Sequence, residues 1–435
     1  MKWPRVLGNP AWVVLGSALC AASMWLYVQR VLVTHQISDA AVHGRPRGTL
    51  SDLYPRWLGA RELLLHGRDP YSAAVTRDIQ AGFYGRPLDS TRPNDPQDQQ
   101  GFAYPVYVAF YLAPTINLPF DVVRKGFFWV LLGLTVVSIP IWLRLLQWLV
   151  PLWTQASIAV LTLGSLAVVQ GLKLQQMTLA VAALMAVAIV LLVTDHQIAA
   201  GILLALATVK PQLVFPLLLW LAIWTASDWK SRYRWAASFL MTMAVLLVAA
   251  EIWLPHWIPK FWEAVREYQR YTEAVPILHK LTPAPWSGFL EVAAGMAAIH
   301  VCWKNRKYAE HSPAFAFNTC LVLAVTLVVV PTFALYNQVL LLPGLLMLAR
   351  DRRAIWNRSL AGRVLLVAGA VLLSWQWLSS MALAGLSFVM PLELVQKGWA
   401  VPAWTALTLP VAVAALMLFL AYRGPGVARA ERVTA

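Results

Sequence analysis

Charge is scarce in this chain: charged side chains are 13% of its 435 residues, against 59% hydrophobic ones. A soluble domain carries roughly 25% charged residues, so a water-soluble fold is excluded. Cysteine is nearly absent. Cys20, Cys302 and Cys320 lie in or at the edge of apolar stretches, which excludes a disulfide framework or a Cys metal site. Internal repeats and low-complexity tracts are missing, as is any polar stretch long enough for a soluble domain. Residues 1–435 therefore read as one polytopic membrane domain.

What is there is apolar sequence in long runs, with a mean hydropathy of +0.61 and 22 Trp that suit anchoring at membrane interfaces. A hydrocarbon core needs about 20 apolar residues per crossing helix. That ruler predicts spans near 11–34, 102–119, 126–146, 154–171, 176–194 and 197–224. Further spans are predicted near 235–254, 285–303, 313–331, 336–349, 361–380 and 401–421, about twelve in all. The run at 336–349 is short enough to tilt into protein, and Lys210-Pro211 is expected to kink the sixth span.

Lys and Arg orient these spans. From Lys2 and Arg5, alternate connections carry Arg124-Lys125, Lys230/Arg232/Arg234, Lys304/Arg306/Lys307 and Arg350/Arg352/Arg353, and the 422–435 tail adds Arg423, Arg429 and Arg432. Both termini are thus expected in the cytoplasm, with two long loops outside, about 35–101 and 255–284. The net charge of +15 is largely this topology signal, so membrane lipids rather than nucleic acid are the expected contacts. No small-residue cleavage site follows the first apolar run, so that helix is expected to stay uncleaved in a bacterial inner membrane.

Function is expected in the outer loops. Arg56-Trp57-Leu58 through Leu65-His66 reads as an interfacial amphipathic helix, and Gly67-Arg68-Asp69-Pro70-Tyr71 as a turn. The stretch 91–98 has no apolar periodicity and reads as mobile. In the second loop, apolar residues at 258, 261, 262 and 265 form a helical face that reads as a membrane anchor before a substrate contact, with Lys260, Arg266 and Arg270 near lipid head groups. Polar residues inside spans need a reason. They are Lys210, Gln175, Gln176, Glu291, Asn318, Asn337, Gln338 and Gln376. Lys210 suits either a structural pair or an anionic ligand; the amides of Asn337 and Gln338 suit either helix capping or sugar hydroxyls. Asp52, after the first span, has two readings as well: an N-cap for the helix that follows, or a carboxylate held outside the bilayer to take a proton.

Several ordered pieces carry a resemblance. They are Asp52-Leu53-Tyr54, Gly59-Ala60-Arg61-Glu62 through His66-Gly67, Asp69-Pro70-Tyr71, Phe102-Ala103-Tyr104-Pro105, Ala200-Gly201 with Ala205 through Lys210-Pro211, and Tyr336-Asn337-Gln338 through Pro343. In these the chain resembles the GT-C glycosyltransferases, in particular glycosyltransferase family 87, the group that includes polyprenyl-phosphate-mannose-dependent α-mannosyltransferases. It departs at Gly171-Leu172-Lys173-Leu174-Gln175, where the family often has a Gly-Gln pair.

The resemblance implies an all-α, GT-C-like helical bundle with interfacial helices in its outer loops. It also implies a hexosyltransferase that moves a sugar, mannose first, from a polyprenyl phosphate to a glycolipid or glycan hydroxyl, with inversion. Asp52 would be the general base, and Arg56, Arg61, Arg68 and Lys210 would hold the donor phosphate. Tyr104, Glu291, Tyr336, Asn337 and Gln338 would contact substrate. A lipid monophosphate requires no divalent ion, so neither metal nor cofactor is expected. The competing class is a multi-span lipid or solute transporter or flippase, with Lys210 and Glu291 lining its path.

Overall fold

The computed structural model describes residues 9–44, 51–89, 91–272, 275–331 and 334–423. Lys2, Arg5, Arg429 and Arg432 lie outside them, as does nearly all of the 422–435 tail. Among the described residues every regular element is helical. Five helices are long and apolar enough to cross a membrane, or six if one bent pair is a single span, and four shorter apolar helices accompany them.

The chain opens on α1 (Pro10–Tyr27), a π-helical turn (Val28–Leu32) and α2 (Val33–Val42), one rod running past the predicted boundary at 34. Asn9 caps it by accepting from the Ala11 amide, and Pro10 fits the first turn, where its missing N–H costs nothing. Next come α3 (Leu53–His66) and α4 (Ala73–Tyr84). Gly67 ends α3 at φ +64°, a conformation that glycine adopts without steric cost. Beyond α4, Arg86 pairs with Asp95, and the Tyr84 hydroxyl donates to the Asp98 carbonyl at 2.7 Å.

The predicted span at 102–119 does not form. It contains only α5 (Val108–Leu112) and a 3-10 turn at Ala113–Thr115. Five residues rise about 8 Å, far short of a hydrocarbon core of about 30 Å. Pro105, Pro114 and Pro119 interrupt the run, removing donors and breaking helical geometry. The segment instead packs on α3, where Trp57 Nε1 donates to the Thr115 carbonyl at 3.2 Å. Helix α6 (Phe120–Leu145) starts beside it, with the Phe120 ring 4.9 Å from Tyr54 and 5.3 Å from Trp57. Arg124 and Lys125 therefore lie at the same end of the bundle as α3, opposite to the placement that charge alternation predicts.

The predicted fourth span is two helices, α7 (Leu152–Leu163) and α8 (Leu166–Lys173), bent by 61°. Helix α9 (Met177–Val193) follows as predicted. The sixth span is also two helices, α10 (Gln197–Ala207) and α11 (Pro211–Ala226), before α12 (Trp229–Trp253). Gln197 meets the Ser231 carbonyl at one end, and Thr208 meets Met243 at the other, so α10 and α12 run parallel. Helix α11 leaves the far end of α10 and returns to the start of α12, where Trp235 Nε1 donates to Thr225 Oγ1 at 2.7 Å. Lys210-Pro211 is consequently a reversal of direction rather than a kink. This reversal of chain direction offsets the one that 102–119 does not make.

Helix α13 (Trp257–Thr272) and the short α14 (Ile277–Leu281) precede α15 (Trp286–Lys304) and α16 (Pro313–Val329). Helix α16 is buried at every residue from Ala314 to Val328 and lies at the centre of the core. A 3-10 turn (Leu335–Leu341) leads into α17 (Leu342–Arg358), then α18 (Leu360–Val389), α19 (Leu392–Gln396) and α20 (Thr408–Arg423). Three basic connections gather at one end. Arg232 donates to the carbonyls of Arg306 and Tyr308, Gln147 to that of His311, and Arg350 to that of Leu146. Around the sides Trp129, Val137, Leu240, Val248, Val364 and Val371 are exposed. Such apolar surface on long helices is solvated by lipid tails, whereas their backbone groups are satisfied internally.

Candidate functional site

Asp52 stands at the start of α3, yet its carboxylate makes no bond to the first turn, so the capping reading is not the one adopted. The turn between α8 and α9 holds it instead. The Asp52 amide donates to the Leu174 carbonyl at 3.0 Å, and Ser51 Oγ donates to Gln175 Oε1 at 2.7 Å. Gln175 Nε2 in turn satisfies the Leu172 carbonyl at the end of α8. Gln176 Nε2 donates to Asp52 Oδ2. Among the described residues Asp52 Oδ1 has no hydrogen-bond partner, so one carboxylate oxygen is held and the other is available.

Lys210 closes the turn between α10 and α11 and is only 6% exposed. Its ammonium donates to Gln176 Oε1 and Thr178 Oγ1, both at 2.7 Å, and Thr178 Oγ1 donates to Asn337 Oδ1 at 3.0 Å. The rings of Tyr336 and Tyr104 lie 4.9 and 5.9 Å from the ammonium. No carboxylate forms an ion pair with it among the described residues. An ammonium buried without an anion is costly, which makes the position suited to an anionic ligand. Arg56, one turn along α3 from Asp52, lies on the same helix face. Its guanidinium sits 4.3 Å from the Tyr104 ring centroid and, among the described residues, has no hydrogen-bond acceptor and no ion pair.

Arg56 and Lys210 head a cavity of about 890 Å³. Arg56, Tyr104, Lys210, Tyr268, Tyr336 and Asn337 line one part of it; Phe215, Leu219, Ile223, Leu247, Val325 and Val329 line another. Helix α13 forms a wall through Trp257, Ile258, Phe261, Trp262, Val265 and Tyr268. The apolar face predicted as an anchor is therefore also a cavity wall. Lys260 on that helix pairs with Asp69 at 2.8 Å, tying α13 to the turn between α3 and α4. Burial pushes the Tyr268 hydroxyl up to about 12. Burial, opposed by the Gln100 amide and reinforced by Asp52, holds the Asp98 carboxyl above the usual carboxylate range.

The structure brings Asp52, Arg56, Tyr104, Lys210, Tyr336 and Asn337 together and places four other predicted residues elsewhere. Arg61 is 5.5 Å from the Trp57 ring with its Nε buried and unpartnered. Arg68 is exposed and ion-paired at 2.7 Å with both Glu62 and Asp78. Glu291 binds His279 at 2.8 Å, and Gln338 donates to the Ala406 carbonyl at 2.5 Å. Gln176 and Thr178 are the members that the predicted site lacked. The signal for Gln176 was a primary amide at the head of an apolar run, which needs a polar partner; Thr178 gave none, because threonine is common in such helices.

A helical protein with several apolar helices long enough to cross a bilayer is a membrane protein, and this one carries cations at the head of a largely apolar cavity. The family comparison makes this specific: a family model described as Glycosyltransferase family 87 matches residues 102–331, more than half of the chain. The chain belongs to that family and is a membrane glycosyltransferase, which leaves the transporter reading without support. No curated protein and no solved structure matches it. Asp52 and Arg56 precede the matched residues and Tyr336 and Asn337 follow them; folding alone brings them to Tyr104, Gln176 and Lys210.

Proposed function

We propose that the protein transfers a sugar, with mannose the first expectation, from a polyprenyl phosphate to a hydroxyl of a glycolipid or glycan at the outer face of the inner membrane. One observation carries this reading: two cations, Arg56 and Lys210, line the head of a largely apolar cavity, and one amide, Gln176, joins Lys210 to Asp52. A lipid phosphate matches both parts, its anion at the cations and its isoprenoid chain along α11, α12 and α13.

In the proposed reaction the acceptor oxygen attacks the anomeric carbon from the face opposite the phosphate. The new carbon–oxygen bond forms as the bond from the anomeric carbon to the phosphate oxygen breaks, with inversion. The acceptor proton passes to the available oxygen of Asp52, the general-base role. The phosphate oxygen leaves with the bonding electron pair, and its growing charge is met by Arg56 and Lys210. Tyr104 holds Arg56 in place through its ring face, and Tyr336 and Asn337 border the sugar.

The test uses purified full-length protein and polyprenyl-phosphate mannose radiolabelled in the sugar, with label followed into membrane glycolipids. Asp52→Asn keeps the size and the bond from Gln176 but removes the base, so donor binding should persist while turnover falls at least about 10²-fold. Near wild-type turnover would remove Asp52 from the mechanism. Wild-type protein that binds but never consumes this donor would overturn the donor assignment.

A further inference from the structure

Gln176 holds Asp52 with one end of its amide and Lys210 with the other. An ammonium cannot accept a hydrogen bond and a carboxylate cannot donate one, so the amide has a single workable orientation. The amide thus stands between a base and a buried cation that would otherwise attract each other directly. Resting on the reaction proposed above, we infer that Gln176 is a positioning residue that acts as a neutral spacer, keeping Lys210 off Asp52 so that the carboxylate stays free to take the acceptor proton and the ammonium stays available to phosphate.

The surroundings of Asp52 make the spacer consequential. The charged and titratable groups facing it are Arg56 of α3, Tyr84 of α4, Asp98 of the first outer loop, Lys210, Tyr268 of α13 and Tyr336 of the 3-10 turn. Two of these are cations. Arg56 is stacked on Tyr104, while Lys210 has a flexible stem and already reaches to within one side chain of the carboxylate. Without the amide, a buried ammonium and a half-buried carboxylate would share the vacated space, and direct pairing would be their least costly arrangement.

The sign follows. An opposite charge in contact favours the ionised carboxylate and lowers its pKa by about 1–3 units, giving a weaker base. In Gln176→Leu the acid limb of the kcat/KM profile should therefore move down by about 1–3 pH units, the plateau should fall, and donor KM should rise. Gln176→Glu puts a like charge against Asp52, so its acid limb should move up. Adding Lys210→Met to Gln176→Leu should return the limb towards its wild-type position although donor KM stays high, because the intruding cation is gone.

The experiment measures these profiles with the radiolabelled polyprenyl-phosphate mannose assay, alongside Asp52→Asn. Opposite limb movements in the Leu and Glu variants support the spacer. Limbs that stay in place in both, with Asp52→Asn inactive, overturn the spacer and leave the reaction standing. Activity in Asp52→Asn overturns the assignment of the base, and the spacer with it. If Gln176→Leu does not accumulate in the membrane, Gln176→Glu, close in size and polarity to the native side chain, decides alone by whether its limb rises.

Discussion

Arg56 and Arg68 begin and follow the same helix, and the difference between them is what surrounds their guanidinium groups. Arg68 is exposed and already divided between Glu62 and Asp78. The exposed pair with Asp78 contributes little, and with Glu62 also engaged the Arg68 charge is spoken for. Arg56 lines the cavity and has five donors with no protein acceptor among the described residues. Arg56→Ala is therefore expected to weaken donor binding roughly tenfold to a hundredfold, the scale of a lost hydrogen bond to a charged group, with thermal stability little changed. Arg68→Ala should leave donor binding unchanged. Titration with polyprenyl phosphate, read by tryptophan fluorescence, checks both; equal loss in the two variants would return Arg68 to the site. Sequence alone gives these arginines the same standing, because what separates them is a partner on α4 and a ring at Tyr104.

At the scale of elements, the site depends on one close approach. The Gly59 Cα lies so near the Phe102 ring that an added Cβ would sit 2.3 Å from a ring carbon. This contact holds the irregular stretch 102–107, and with it Tyr104, against α3. Gly59→Ala must push the ring away, at an overpacking cost of about 1–3 kcal/mol. The expected outcome is a lower melting temperature in detergent together with a raised donor KM, because Tyr104 moves with Phe102. Unchanged melting would mean that 102–107 is not wedged as described. The hydrophobic run at 102–119 explains why a hydropathy ruler reads this stretch as a span. Most of its apolar side chains are buried against α3 and beside the turn at Leu206–Thr208, and apolarity by itself does not say whether the burial is in lipid or in protein.

Over the whole molecule, the segment that fails to cross and the hairpin at Lys210 compensate, so the later connections keep the alternation that their charges predict. The meeting of Arg232, Arg306 and Arg350 at one end of the bundle fits the cytoplasmic face that Lys and Arg mark. Reporter fusions after residues 90 and 270 should then read outside, and fusions after 230 and 352 should read cytoplasm. A fusion after residue 118 separates the two accounts: charge alternation puts it in the cytoplasm, and the structure puts it on the same side as Asp52. A cytoplasmic signal at 90 would sink the orientation and the proposed reaction together.

By itself the sequence determined the material and the chemistry: a helical membrane protein, the family, an acidic residue after the first apolar run, and a lysine inside an apolar run that needs a partner. These are local properties, set by composition, by short motifs and by the cost of charge in an apolar run. Tertiary structure alone decided which of them meet. Asp52 and Gln176 are 124 residues apart and Thr178 and Asn337 are 159 apart, so no periodicity links them. Whether Lys210-Pro211 bends a helix or reverses it is likewise absent from the motif. Proline frees the helix at that point, and the partners that Lys210 finds on α9 and at Tyr336 fix where the chain goes next.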